Sequence, residues 1–310
     1  MRRVFAEKIK EIAIANEKTI FLTGDLGFNA LEEVKEIMKD RFINVGVAEQ
    51  SMISIAAGIA NQGYQVFCYS IAPFITYRCL EQIRNDVCFH NLPVYIVGNG
   101  GGYGYGIMGS SHHAIEDIAI LSGLPNMNCY VPCFKEDVDV CLKNIIEEKK
   151  PAYLRFGLSK PNNFANQSNK FFNKLTNCSN PKITVVASGP VINNLFEAIQ
   201  NFSLHDNVEV FNITKIPYLE LNQEFLSSIN YTKKILIIEE HISIGGIGQQ
   251  IAHDILTKNL KTDFFKTLYA KGYPTSEYGS QQFHLKQSGL DENNIAEILI
   301  KQCFTQDNDN

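Results

Sequence analysis

The sequence predicts an α/β protein made of two doubly wound domains with mainly parallel sheets. Three observations carry that prediction. Near-continuous apolar runs rich in β-branched residues alternate with longer amphipathic stretches along the whole chain, the pattern of strands covered by helices on both faces. The length of 310 residues suffices for two buried cores at about 100–200 residues per domain. A polar, asparagine-rich stretch splits the alternation into two series.

The first series offers strands at TIFLTG (19–24), QVFCYS (65–70), PVYIVG (93–98), NCYVPC (128–133) and AYLRF (152–156). Helical patterns lie between them in SMISIAAGIANQG, CLEQIRNDVCFH and EDVDVCLKNIIEEKK. A second series follows at ITVVASG (183–189), VEVFNIT (208–214), KILIIEE (234–240) and FFKTLYA (264–270). Residues 157–181 have no sustained period of either kind and are bracketed by prolines, which reads as a linker over the surface. The expected boundaries are a first domain at 1–160, a linker at 161–181, a second domain at 182–303 and a flexible tail at 304–310.

Composition narrows the function classes. Hydrophobic residues at 45% and charged residues at 20% argue for a folded globular chain. The formal charge of −5 gives no reason to expect a nucleic-acid or anionic-membrane surface. No apolar run approaches the ~20 residues of a membrane span, and no signal peptide is recognisable at MRRVFAEKIK, so a cytoplasmic protein is expected. The eight cysteines contain no CxxC pair; they read as reduced structural thiols, with no metal site expected.

Three segments could carry chemistry. In FINVGVAEQSMISIAAGIANQG an apolar stretch delivers Glu49 to the start of a small-residue helix. Such a carboxyl either complements the helix dipole or is a desolvated acid suited to proton chemistry. In GNGGGYGYGIMGSSHHAIEDIAIL seven glycines fall between 98 and 109, before a helix expected to begin near His113. That many glycines let a backbone approach a ligand closely or take positive φ angles. GYGIMG matches G-x-G-x-x-G but lies six residues past Gly98, with no acid near 124–131, so it is a poor dinucleotide fingerprint. His112 and His113 lack helical metal spacing and stand as loop histidines for hydrogen bonding or proton transfer. In SIAPFITYRCLEQIRND, Phe74 and Tyr77 precede a helix on which Arg78 and Glu81, three apart, could pair.

These segments, in this order, resemble the pyrimidine-binding and C-terminal domains of the transketolase family. The resemblance rests on NVGVAEQSM, PFITYRCLEQIRND, GSSHHAIEDIA, and later VVASGPV, IIEEH-x3-GGIG and YGSQ-x4-K, and covers nearly the whole chain. The nearest likeness is the separate C-terminal subunit of a split transketolase. Thiamine-diphosphate enzymes of this kind hold the diphosphate and Mg2+ through a GDG…N motif in another domain, and this chain has no GDG. The resemblance therefore implies an N-terminal partner subunit carrying that motif, in an α2β2 assembly, acting on a small sugar substrate.

Carried over residue by residue, the resemblance makes Glu49 the acid that faces the aminopyrimidine ring and favours its imino tautomer, a role suited to a buried glutamic acid. Phe74 falls at the aromatic that stacks on the ring, Asp25 at an aspartate on the cofactor-facing side, and His112 at a histidine that assists proton transfer. Asn29, Met108, His113 and Leu158 fall at substrate-side positions. Two of these depart from the family pattern, because Met108 replaces a sugar-recognising aspartate and Leu158 a phosphate-gripping arginine. Gly100 likewise stands where the sugar-phosphate enzymes have a histidine. Lys160 could replace the arginine only as a point charge. The expected substrate is accordingly not one of the usual small ketose phosphates but a larger or differently charged sugar. Two other readings stay open: the β subunit of a 2-oxo acid dehydrogenase, and a non-catalytic scaffold of the same fold.

Overall fold

The computed structural model describes residues 1–27, 30–159, 170–218 and 220–304. Two sheets organise them. The first is assembled from β1 (Thr19–Thr23), β2 (Phe42–Asn44), β3 (Gln65–Ile71), β4 (Val94–Asn99), β5 (Asn128–Tyr130) and β6 (Ala152–Phe156). The second holds β7 (Phe172–Lys174), β8 (Ile183–Ser188), β9 (Val208–Ile213), β11 (Lys234–Glu239) and β12 (Phe264–Leu268), while β10 (Lys215–Ile216) crosses back to the first.

The first sheet runs β10-β5-β6-β4-β3-β1-β2, parallel throughout except for the β10–β5 pair. After β1 the chain adds β2 on one side and then β3 on the other, so the winding direction reverses between β1 and β3. Ligands of open parallel sheets bind outside the carboxyl ends of the strands at such a reversal. The second sheet runs β12-β11-β8-β9-β7 and is parallel except for the edge pair β7–β9.

Helices cover the faces because the strand side chains alternate. In β1 and β3, Phe21 and Phe67 enter one core with Phe5 and Ile9 of α1 (Arg2–Ala15). Leu22 and Cys68 enter the other with Met52, Ile53 and Ala56 of α3 (Glu49–Ala60). The first core also takes Val34 of α2 (Glu32–Met38). The second core is continuous with the inner face of the second sheet, through Val186, Phe211, Ile235 and Ile237. The two sheets thus share apolar contact rather than hanging from a tether.

After β3 come α4 (Ala72–Thr76) and α5 (Leu80–Gln82), the latter running into a π-helical turn at Ile83–Cys88. The remaining helices of the first half are α6 (Asp117–Ser122) and α7 (Asp137–Glu148). Those of the second are α8 (Ile192–Asn201), α9 (Gln223–Thr232), α10 (Ile247–Thr257), α11 (Gln281–Ser288) and α12 (Glu292–Phe304). No helix among the described residues is long and apolar enough to cross a membrane. All eight cysteines are free thiols, six of them buried.

Several expectations need correction. Within 161–181, residues 161–169 lie outside the described part, and Phe172–Lys174 is a strand rather than linker. Phe171 packs on Tyr130 and Phe172 on Phe211 and Phe225, apolar anchors hidden in an asparagine-rich context. Phe304 ends α12 instead of opening a tail, and 305–310 are outside the described residues. The helix expected near His113 begins at Asp117, since two 3-10 turns (Gly106–Met108 and Ser110–His112) absorb the preceding chain.

The IIEEH-x3-GGIG segment has a structural explanation. Glu239 ends β11 and accepts hydrogen bonds from Ile247 N (2.9 Å) and Gly248 N (3.0 Å), satisfying two free donors at the start of α10. A Cβ at Gly246 would lie 2.5 Å from both carboxylate oxygens, so glycine is required there. Burial pushes the Glu239 carboxyl up to about 7, against the two amides and Arg155, which pull it down. A carboxyl raised in the folded state keeps its proton there while the unfolded chain loses one. Its contribution is therefore intact below about pH 4.5 and is lost as pH rises toward 7, by an amount on the order of 3 kcal/mol. Urea titrations of Glu239→Gln between these pH values should show a shallower fall in stability with rising pH than the parent chain; an equal slope would contradict the assignment.

Candidate active site

The site is built where β1, β3 and β4 end. Glu49 is the first residue of α3, yet its side chain does not cap that helix. It turns inward, 1% exposed, and accepts from Ser70 Oγ at Oε1 (3.0 Å) and from Arg78 Nη1 at Oε2 (2.7 Å). Of the two readings open for this acid, helix complementation is set aside by these contacts. The expected Arg78–Glu81 pair gives way to Arg78–Glu49, because the chain leaves α4 in a direction that carries the guanidinium back over the end of β3.

Arg78 joins the candidate residues to one another. Its Cζ lies 4.7 Å from the centroid of the Phe74 ring, a cation–π contact. That ring meets the His112 imidazole edge-on at 5.0 Å, and His112 also meets the Tyr105 ring at 5.8 Å. Glu49, Arg78, Phe74 and His112 form one continuous chain of contacts. His112 is half-buried, and its Nδ1 is 2.9 Å from Ser111 Oγ.

The other predicted residues are placed differently. Asp25 sits at the end of β1 with φ +58, and Asn44 fixes it from both sides: the Asp25 amide donates to Asn44 Oδ1 (3.0 Å) and Asn44 Nδ2 donates to Asp25 Oδ1 (2.8 Å). It lines a cleft of about 150 Å³ with Thr23, Gly27, Lys35 and Asn44. Asn29 and Lys160 lie outside the described residues. Met108 and Leu158 project into solvent, 54% and 71% exposed. His113 is not on the open side. It is buried, and its Nε2 is 2.8 Å from Gly106 O while its Nδ1 is 2.8 Å from Tyr273 Oη. A carbonyl can only accept, so Nε2 carries the proton and Nδ1 accepts from the tyrosine. Burial lowers the pKa of this imidazole and keeps it neutral. Its role in the structure is to hold the loop.

The glycine-rich loop is explained by the protein itself. A Cβ on Gly101 would collide with the Arg155 side chain, and one on Gly102, where φ is +65, with the Glu240 carboxyl. The backbone thus presses against a buried arginine of β6 and a buried glutamate just beyond β11. Glu240 lies inside the IIEEH motif and Tyr105 inside the glycine-rich loop, but neither segment shows in sequence what its side chain meets. Ser70 is visible in the sequence only as the polar end of a strand, and Arg78 is visible there without its partner.

The pyrimidine end of thiamine diphosphate fits this arrangement. A buried carboxyl, an adjacent aromatic face and a histidine at its edge are the kinds of group that such a ring calls for. The diphosphate end calls for hard oxygen ligands around Mg2+. No cluster of three or more histidine, cysteine, aspartate or glutamate side chains that could hold a metal occurs among the described residues.

Comparison with known proteins agrees with the geometry. Residues 1–162 match the transketolase pyrimidine-binding domain. The chain is similar to one of the subunits of the apulose-4-phosphate transketolase of Phocaeicola vulgatus, 28% identical over 265 residues that span 83% of this chain and 84% of that one. It is also similar to 1-deoxy-D-xylulose-5-phosphate synthase of Clostridium perfringens, 28% identical over 302 residues, covering 96% of this chain but 48% of the synthase. Among solved structures, a split gene transketolase in the form of an inactive beta4 tetramer superposes with a TM-score of 0.80 at 25% identity over 97% of both chains. The likeness to subunits of split transketolases runs through both sheets, and the first sheet carries the match that decides the family: this chain belongs to the transketolase family through its pyrimidine-binding domain.

Proposed function

We propose that this chain is the C-terminal subunit of a thiamine-diphosphate-dependent enzyme that transfers two-carbon ketol or aldehyde units to a sugar-type acceptor. In this reading it acts only with a separate N-terminal subunit that holds the diphosphate and Mg2+ through a GDG…N motif, as an α2β2 assembly in the cytoplasm. The observation that carries the reading is the continuous Glu49–Arg78–Phe74–His112 contact chain at the sheet's winding reversal. Thiamine diphosphate, when bound, supplies the nucleophilic carbon that attacks the ketose carbonyl.

The chain's own residues bind, orient and move protons around it. Glu49, held by Ser70 in a dry setting, would meet the ring nitrogen. Phe74 would give the ring a face to stack on. His112, at the edge of Phe74, would exchange protons with substrate oxygens. Asp25, fixed by Asn44, would contact the cofactor-facing side at the end of β1. Arg78 both engages Glu49 and covers Phe74, so a ring that uses both must first displace the guanidinium.

Three outcomes are expected of the assembled enzyme. Glu49→Gln should lower turnover by about 100-fold or more while circular dichroism and subunit assembly stay unchanged; near-normal turnover would sink the activation role. Arg78→Ala should bind thiamine diphosphate about two- to tenfold faster or tighter by calorimetry, and weaker binding would mean that the arginine is a ligand rather than an obstacle. The apolar, exposed Leu158 and Met108 point to a substrate other than the usual small ketose phosphates. Xylulose 5-phosphate should therefore be a poor donor beside branched or larger sugars such as apulose 4-phosphate, and Leu158→Arg should lower its KM by about tenfold. Efficient turnover of xylulose 5-phosphate by the parent enzyme would overturn the substrate reading.

A further inference from the structure

The loop that presents His112 is a hairpin whose outgoing leg rests directly on one residue of the second half of the chain, Glu240, and whose returning leg is linked to it through Gly102 and Arg155. On the outgoing leg, Tyr103 N donates to Glu240 Oε1 at 2.8 Å. The returning leg is Ala114, paired with Gly102 in a two-way backbone bridge (2.8 and 2.9 Å). Arg155 Nη2 donates to Ala114 O (2.8 Å) and to the main-chain carbonyl of Glu240 (2.9 Å). Gln281 of α11 donates to both carboxylate oxygens of Glu240 (2.9 and 3.2 Å) and so fixes its rotamer. The absence of a Cβ at Gly102 is what lets the carboxyl come this close.

Between the two legs run residues 104–113, which carry His112. Tyr103 is tied a second time, its hydroxyl donating to Gly272 O at 3.0 Å. Buried hydrogen-bonded carboxylates are costly to place and hold their partners rigidly once satisfied. Glu240, 4% exposed, touches neither Glu49 nor Phe74 in the structure. Its neighbours Glu239 and His241 each hold a different backbone, at the starts of α10 and α6 respectively.

We propose that Glu240 is a positioning residue for the proposed reaction: from just beyond β11 its carboxylate anchors the outgoing leg of the glycine-rich hairpin at Tyr103, the returning leg being tied to that leg through Gly102, and so sets where His112 stands beside Phe74. The catalytic part rests on the function proposed above; the clamp itself does not.

The test uses the full chain with Glu240→Ala, Glu240→Gln and, as a neighbouring control, Glu239→Ala. In Glu240→Ala, hydrogen exchange of amides 102–113 should rise about tenfold, because the buried Tyr103 amide loses its acceptor. Glu240→Gln keeps an acceptor oxygen and should restore most of the protection. Glu239→Ala should loosen the start of α10 and leave the hairpin within about twofold of the parent. In the assembled enzyme, Glu240→Ala should bind thiamine diphosphate within about threefold of the parent yet lose about tenfold in turnover of apulose 4-phosphate. It should add no further loss when His112 is already alanine. Unchanged exchange in the hairpin would overturn the clamp. Equal losses of cofactor binding and turnover, or full additivity with His112→Ala, would overturn the positioning role. If the parent mixture bound no thiamine diphosphate, the proposed function would fall and the catalytic half of this inference with it, while the exchange data would still decide the clamp.

Discussion

A buried arginine between two acids holds the architecture at the seam between the sheets. Arg155 of β6 lies 3.2 Å by its Nε from Asp117 Oδ2, and its Nη2 bridges the Ala114 and Glu240 carbonyls. Tyr153 donates to the same Asp117 oxygen at 2.6 Å. Charges taken out of water are tolerated only when their partners are in place, and removing one partner strands the others. These partners come from β6, from the segment leading into α6 and from the end of β11, so the network is complete only when both halves of the chain are docked. The shared apolar core brings the sheets together without choosing their register. The charged seam makes the choice, at the rim where the glycine-rich hairpin emerges.

From that seam the constraint extends to the pyrimidine site. Tyr77, one residue before Arg78, donates to Glu116 Oε2 at 2.8 Å and accepts from the Glu116 amide at 3.1 Å. Glu116 neighbours Asp117, so the end of α4, with Phe74 and Arg78 around it, is tied to the same network that fixes the hairpin. A sheet of parallel strands leaves its carboxyl ends as separate loops, each free to move. Here three of those loops are cross-linked by buried polar contacts. That would suit the proposed site, which draws an acid, an aromatic face and a histidine from separate strand ends.

Much of this is legible in the sequence, and what is not fails for physical reasons. Nine of the strands are visible as apolar runs, because parallel strands buried on both faces need no alternation. β2, β7 and β10 escape, being two or three residues long in polar or irregular surroundings, whereas β5, equally short, is marked by the apolar NCYVPC run that contains it. Glu49, Phe74 and His112 emerge through motif order, and in the structure they join one chain of contacts through Arg78. Sequence pairs Arg78 with Glu81, because spacing along a helix is readable whereas a partner 29 positions upstream is not. His113 falls at a substrate position because sequence cannot separate the two faces of a loop, and the tyrosine that buries it comes 160 positions later. The glycines read as room for a ligand. Those at 101 and 102 instead make room for Arg155 and Glu240, an exchange that no local pattern records.

The Glu49–Arg78 pair decides how the buried acid of the candidate site is kept satisfied. A buried carboxylate facing an empty cleft would have to be desolvated without compensation, at a cost of several kcal/mol. In this chain a guanidinium supplies the compensation and rests its flat face on the aromatic ring beside it. Arg78 is itself 43% exposed, so the guanidinium keeps its contact with water when it lets go, whereas the buried acid then needs another partner. In the proposed function the same acid would be satisfied by Arg78 before the cofactor is bound and surrendered to the pyrimidine ring afterwards. Ser70 does not need to move in that exchange, since it holds the other oxygen of Glu49 from the end of β3. Rigid support on one side and a displaceable cation on the other keep the buried acid satisfied in this chain by its own residues alone.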